Sequence, residues 1–184
     1  KVEITTPQRG TRRQLMANAI KNAEDALARQ QADSASQTRL LGELAETFGL
    51  DAPPERIEIY DNSHIQGAHA IGAMVVAGRE GFIKSAYRKF NMKSEGPHAA
   101  TSSDDFAMMR QMIYRRFERA LKEDPERQLT SWPDLLLIDG GKGQLSAVHE
   151  VMDELDLDDI AVVAISKGPD RNAGKEQFHI RGQN

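Results

Sequence analysis

Pro133-Asp134-Leu135-Leu136-Leu137-Ile138-Asp139-Gly140-Gly141-Lys142-Gly143-Gln144 is the stretch on which the fold turns. Four apolar residues in a row, Leu135 to Ile138, read as a buried strand. Asp139 ends that strand and a glycine loop follows. Leu145, Val148, Val151, Met152 and Leu155 then recur at helical spacing. A second continuously apolar strand, Ile160 to Ile165, completes a strand–helix–strand unit of a sheet covered on both faces. The glycine loop can aim backbone N–H groups at an anion. It lacks the spacing and the Lys-Ser/Thr ending of a Walker A loop, so nucleotide binding is the lesser reading. Lys142 is then a candidate contact for a nucleic-acid phosphate.

Upstream, Asp104 to Lys122 reads as an amphipathic helix. Phe106, Met109, Ile113 and Phe117 line one side, and Arg110, Arg115, Arg116 and Arg119 sit elsewhere on its surface. Between it and Arg56 the period changes to two. Ile57 and Ile59 mark a strand ending at Asp61, Ala70 to Ala77 a second, and Gly78-Arg79-Glu80-Gly81 a turn. Phe82 to Met92 reads as a third strand, with Ala86, Phe90 and Met92 on one face. An antiparallel three-strand meander followed by parallel strands predicts an α/β protein with a mixed sheet flanked by helices, the order of the RNase H-like folds. The Gly-, Ser- and Ala-rich stretch from Ser94 to Ser103 reads as a mobile lead-in to the Asp104 helix.

The N-terminal part has another character. Arg12 to Phe48 is helical in pattern, with Leu15, Ile20, Ala23 and Leu27 near helical spacing. Ser34 and Ser36 can cap a second helix carrying Leu40, Leu41, Leu44 and Phe48. Gly49 stops it, and Asp51-Ala52-Pro53-Pro54 is a linker. The expected division is a helical segment and linker over 1–55 and an RNase H-like domain over 56–184.

The composition bounds the chemistry. The 184 residues are 39% hydrophobic and 5% aromatic, enough for a core, and the formal net charge is -4. A basic balance, the usual footprint of nucleic-acid binding, is missing, so a local basic face has to carry any such role. The absence of cysteine excludes disulfides, thiolate zinc sites and thiol catalysis, and fits a reducing compartment. No apolar run approaches the ~20 residues needed to cross a bilayer. The chain starts at Lys1 without Met and without a signal-peptide core. The expectation is a piece of a longer, cytoplasmic protein.

Three acids stand where phosphodiester chemistry wants them: Asp61 and Asp139 at strand ends, and Asp105, with Asp104, at a helix start. Asp is disfavoured in strands, and sites gather at strand ends of α/β sheets. Carboxylates suit hard cations such as Mg²⁺ or Mn²⁺. Two such ions about 4 Å apart can activate water and stabilise the leaving oxygen. Each acid also has a purely structural reading. Asp104 can face the helix dipole, and Asp105 shares that reading more weakly. Asp139 can cap its glycine turn, and Asp61 can form a turn with Asn62 and Ser63.

Arg56 to His64 resembles the "Asp-Ile-Ser-His" signature of the C subunit of bacterial excinuclease, the UvrC family. Tyr87 to Asn91 resembles that family's "Tyr-Arg-Arg-Phe/Tyr-Asn", and Asp104-Asp105-Phe106 to Phe117 its "Asp-Asp-Tyr … Arg-Arg-Tyr" helix. Pro133 to Gln144 resembles "Pro-Asp-Leu-Ile-Leu-Ile-Asp-Gly-Gly-Lys-Gly-Gln", Ser166 to Arg171 "Ala-Lys-Gly-x-x-Arg", and Pro7 to Gly10 a "Pro-x-Arg-Gly" lead-in. The resemblance implies an RNase H-like endonuclease domain from that family's C-terminal half. It implies incision of damaged double-stranded DNA on the 5′ side of a lesion marked by UvrB, with Mg²⁺ or Mn²⁺. It places the acidic triad on Asp61, Asp105 and Asp139, with His64 and Asp104 as neighbours. The family's "Arg-Asp-Glu-x-His" histidine matches none of the five histidines here. Its GIY-YIG nuclease, UvrB-binding segment and helix-hairpin-helix pair are also unmatched. Where the family shows "Pro-Gly-Asp-Asp", Ser102-Ser103 precede the pair.

A basic face can sit beside these acids. Lys84, Arg88, Lys89 and Lys93 lie on or just after the third strand. Arg110, Arg115, Arg116 and Arg119 lie on the helix, and Lys142 and Lys167 follow strands. They are the candidates for tracking DNA phosphates, against the alternative of an ordinary solvated face. Two rival functions stay open: an inert RNase H-like module that only binds DNA or UvrB, and a phosphate- or nucleotide-binding domain built on the loop Gly140 to Gln144.

Overall fold

The computed structural model describes residues 6–65, 69–100, 104–168 and 175–182, without the side chains of 63–65 and 69–70. The chain divides into two compact units, one up to Leu40 and one from Leu41 onward. The first is helical. Its helix, α1 (Gly10–Phe48), runs without a break past the expected cap at Ser34 and Ser36 and on to Phe48. Inside it the Ser34 carbonyl oxygen accepts from the Thr38 hydroxyl, which is ordinary within a helix. Leu15, Ile20 and Leu27 of this unit are exposed.

The second unit is a mixed sheet between helices. Its strands are β1 (Arg56–Ile65), β2 (His69–Gly78), β3 (Gly81–Phe82), β4 (Arg88–Asn91), β5 (Leu135–Asp139), β6 (Ala161–Ser166) and β7 (Gln177–Ile180). They lie in the order β3-β2-β1-β5-β6-β7, with β4 also paired to β2. β1, β5 and β6 are mutually parallel, and β2 and β7 run antiparallel to their neighbours. α2 (Asp105–Glu123) and α3 (Lys142–Glu154) cover one face. The meander followed by parallel strands is the expected RNase H-like arrangement. β7 was not expected; Gln177-Phe178-His179-Ile180 alternates polar and apolar, but over only four residues.

The alternation along β1 divides the core. Tyr60 packs with Leu136, Ile138, Met112 and Val148 under α2 and α3. Ile57 packs on the other face with Leu41, Leu135 and Val163, joined by Leu44, Phe48 and Ile59. The last two turns of α1 therefore belong to the domain core, ahead of the expected boundary at Arg56. Gly72 on β2 lets α2 come close, since a Cβ there would overlap the Met112 sulfur.

Two expectations about the strands need correction. β1 does not end at Asp61 but continues to Ile65, held by β2 through the pair Ile65↔His69. Asp61 therefore forms no turn with Asn62 and Ser63. The third strand is not continuous either. β2 advances three residues, Ala77 to Met74, while the chain facing it advances six, Phe82 to Arg88. The surplus is extruded as a 3-10 turn at Lys84–Ala86. Extruding an odd number of residues inverts the side-chain phase. An unbroken strand would put Phe90 on the face of Phe82; the turn instead places Phe90 in the core opposite Gly72 and leaves Phe82 exposed.

Buried polar groups tie these pieces together. Glu58, fully buried on β1, accepts from Arg56 and Arg116 at 2.8 Å and from the Tyr60 hydroxyl at 2.7 Å. Burial, and then the Glu58 charge, push the Tyr60 hydroxyl well above its usual range. Gln111 on α2 is 1% exposed. Its side chain accepts from Lys93 N–H and donates to the Lys93 and His98 carbonyls. The segment read as a mobile lead-in is thus held to α2 over its described part, up to Ala100.

Candidate active site

Asp61 and Asp139 meet where two parallel strands part. Tyr60↔Ile138 is the last pair of the β1–β5 ladder, and Asp61 and Asp139 are the next residues on each strand. The Asp61 carboxyl is raised above its ordinary value, first by burial and then by the nearby charge of Asp139, with Lys167 opposing. Two residues 78 positions apart in sequence are therefore electrostatic neighbours. Lys167, exposed just beyond β6, lies within range of the same carboxylate.

Asp105 reaches this end of the sheet from the opposite side. It is the first residue of α2, and Asp104 is the N-cap, its carboxylate accepting from Ala107 N–H at 2.9 Å. The Asn62 side-chain amide donates to the Asp105 carbonyl at 2.9 Å and joins β1 to the helix start. By alternation Asp61 and Asp139 keep the phase of Ile59 and Leu137, whereas α2 covers the face of Tyr60 and Ile138. The structure brings Asp61 and Asp139 together, whereas Asp105 starts a helix on the other face and is joined to β1 through the Asn62 amide and its own backbone carbonyl. Among the described residues no three acids or histidines are grouped to hold one metal ion.

The donors that are present fit a hard divalent cation. Asp61 and Asp139 offer carboxylate oxygens whose mutual repulsion a cation would relieve. Asn62, a residue the sequence reading passed over as part of a turn, has a buried Oδ1 that accepts no hydrogen bond among the described residues, but by alternation it lies on the α2 face, opposite the two carboxylates. Gln144 was also missed as an individual. A Cβ on Gly140 would overlap its amide, so its side chain folds back over the residue that follows Asp139. His64 pairs through its backbone with Ala70; its side chain lies outside the described residues.

The basic candidates divide sharply. Arg116 is not available to a phosphate: its guanidinium is bound to Glu58 and to the Ser131 carbonyl, and its side chain is 14% exposed. A buried carboxylate left unpaired costs far more than a surface contact returns, and this holds the arginine inside. Arg115 donates to the Asn91 carbonyl and lies over the Phe90 ring. Arg88 turns back to the Ser85 and Tyr87 carbonyls, Arg119 pairs with Glu123, and Arg110 approaches Glu150 at 3.4 Å. Lys84, Lys89, Lys93, Lys142 and Lys167 are exposed. Lys89 is the best placed. Asp61 pairs with Ala73, and Ala73 pairs with Lys89, so Lys89 shares the face of Asp61 two strands away, roughly 10 Å across the sheet.

The UvrC RNAse H endonuclease domain family matches residues 45–184. UvrABC system protein C of Cereibacter sphaeroides is 57% identical over 183 residues, covering 100% of this chain and 29% of its own length. UvrABC system protein C of Sphingopyxis alaskensis is 59% identical over 181 residues, 98% of this chain and 28% of its own. The chain thus spans less than a third of the length of these curated relatives. Among solved structures, Ciona intestinalis endonuclease V in complex with a 24mer DNA is similar at 14% identity and a TM-score of 0.43, over 79% of this chain and 59% of that one. That likeness is too slight to bear on function. With a match over most of its residues and the Asp61–Asp139 pair at the head of the sheet, the chain belongs to the UvrC RNase H endonuclease domain family.

Proposed function

We propose that this chain is the metal-dependent endonuclease part of a nucleotide excision repair excinuclease, hydrolysing a DNA phosphodiester on the 5′ side of a lesion. The observation that carries this reading is the pairing of Asp61 with Asp139, two like charges held together just beyond the end of the parallel β1–β5 ladder. Such a pair is costly unless something positive joins it. Asp61, Asp139 and Asp105 are the proposed ligands and catalytic acids. Mg²⁺ or Mn²⁺, when bound, would lower the pKa of the attacking water and take up charge on the leaving oxygen. The protein's own share is positional. β1 and β5 fix two carboxylates on one sheet, and Asn62, the next residue of β1, anchors the start of α2 on the other face. Lys89, on the face of Asp61, and Lys167 would hold flanking phosphates of double-stranded DNA. The whole protein would work within a complex containing UvrB, in the cytoplasm. No helix among the described residues is long and apolar enough to cross a membrane.

Nicking of supercoiled plasmid with Mn²⁺ tests the reading. Asp61→Ala and Asp139→Ala should each abolish nicking while leaving the unfolding transition in place. Undiminished nicking by either variant in a clean preparation would sink the proposal. One observation favours the second reading, an inert DNA- or UvrB-binding module: Asp105 is not grouped with the other two acids around a metal position. Under that reading Mn²⁺ titration would give no nicking from the wild type.

A further inference from the structure

Phe106 follows Asp105 in the first turn of α2 and is 48% exposed, although it stands on the side of the helix whose other apolar residues are buried. Its ring rests on the backbone of Gly143 in the first turn of α3. A Cβ at Gly143 would meet ring carbons at 2.7 and 2.8 Å. The ring thus packs by one edge against a position where any Cβ would displace it, and much of the rest faces solvent. An open groove of about 710 Å³ lies beside it, lined by Asp104, Asp105, Phe106, Gly141, Gly143 and Gln144. The groove shares Asp105 with the candidate active site, and Gln144 folds from it toward the residue after Asp139.

We propose that this groove is a nucleotide subsite, in which the base of one nucleotide of the cut strand stacks on Phe106 while Gln144 offers its amide to the base edge. The inference rests on the nuclease reading for the identity of the strand. The chemistry selects the base over the phosphate. Asp104 and Asp105 line the groove and repel an anion, whereas a flat aromatic ring and a side-chain amide suit a neutral heterocycle. Every base presents a π-face, so the subsite positions the strand without selecting sequence. Gly143 acts through Phe106: a Cβ there would displace the ring from its present position.

The test uses the full-length protein carrying this chain, a thymidine oligonucleotide with one 2-aminopurine, and EDTA to prevent cutting. Stacking on Phe106 should quench the 2-aminopurine emission as protein is added. Phe106→Leu should remove most of the quench and weaken binding about five- to tenfold, the scale of a single base–aromatic stack. Phe106→Tyr should retain both. Gly143→Ala should behave like Phe106→Leu, and the double variant should be no weaker than either single one. Absence of quenching by the wild type, or an unchanged quench and affinity in Phe106→Leu, overturns the subsite. Plasmid nicking with Mn²⁺ is run alongside. If the wild type fails to nick but its quench depends on Phe106, the nuclease reading falls and the subsite stands.

Discussion

Asp61 and Asp139 occupy the first unpaired step beyond the β1–β5 ladder, and the charge of Asp139 helps raise the Asp61 carboxyl. Burial is the larger cause and Asp139 the second. The folded state therefore binds the Asp61 proton more tightly than the unfolded chain does. Stability falls as pH rises through the folded carboxyl, and the penalty is complete above it.

Asp61→Asn should accordingly unfold at a slightly higher temperature than the wild type near pH 7 in EDTA. The advantage should vanish under acid conditions, where the wild-type carboxyl is protonated. Added Mn²⁺ should stabilise the wild type and do little for the variant. Thermal unfolding across pH checks all three, and a variant less stable than the wild type at pH 7 would contradict the repulsion.

Arg116→Met should be strongly destabilising, by about 3 kcal/mol, because Glu58 stays buried with one fewer cation. Combining it with Glu58→Gln should recover part of the loss. Urea unfolding measures both. A loss under about 1 kcal/mol would mean that Arg56 alone suffices for Glu58.

Gln111→Ala should cost about 2 kcal/mol, since it strands the Lys93 N–H and two carbonyls. The sharper signature is local. Hydrogen exchange at the Lys93 amide should accelerate beyond what the global loss explains, and unchanged protection there would show that the segment holds without Gln111.

Lys89→Glu combined with Lys84→Glu should weaken duplex DNA binding and flatten its salt dependence, by a slope of roughly 0.9 for each phosphate no longer neutralised. Arg119→Glu, whose guanidinium pairs with Glu123 on its own helix, should change the slope little. Equal slopes for the double variant and the wild type would remove Lys84 and Lys89 from the DNA-facing surface.

Much of this protein was legible without coordinates, because apolar period reports local geometry directly. Leu135 to Ile138 could only be an internal strand, Met109, Ile113 and Phe117 only a buried helix face, and the acids at Asp61, Asp105 and Asp139 stood out against that background. The motifs around them carried the family. Period says which face a residue takes; it does not say which residue lies opposite. Only the tertiary structure decided that Arg116 turns inward to Glu58 while Lys89 faces outward, although both read as surface cations. The same holds for Asp61 and Asp139, whose proximity depends on the register of two strands 78 residues apart. The position of Lys89 on the Asp61 face follows from a three-residue extrusion at Lys84–Ala86. Strand pairing and side-chain phase are set by long-range contacts, so one odd insertion reverses a face that the local pattern had assigned.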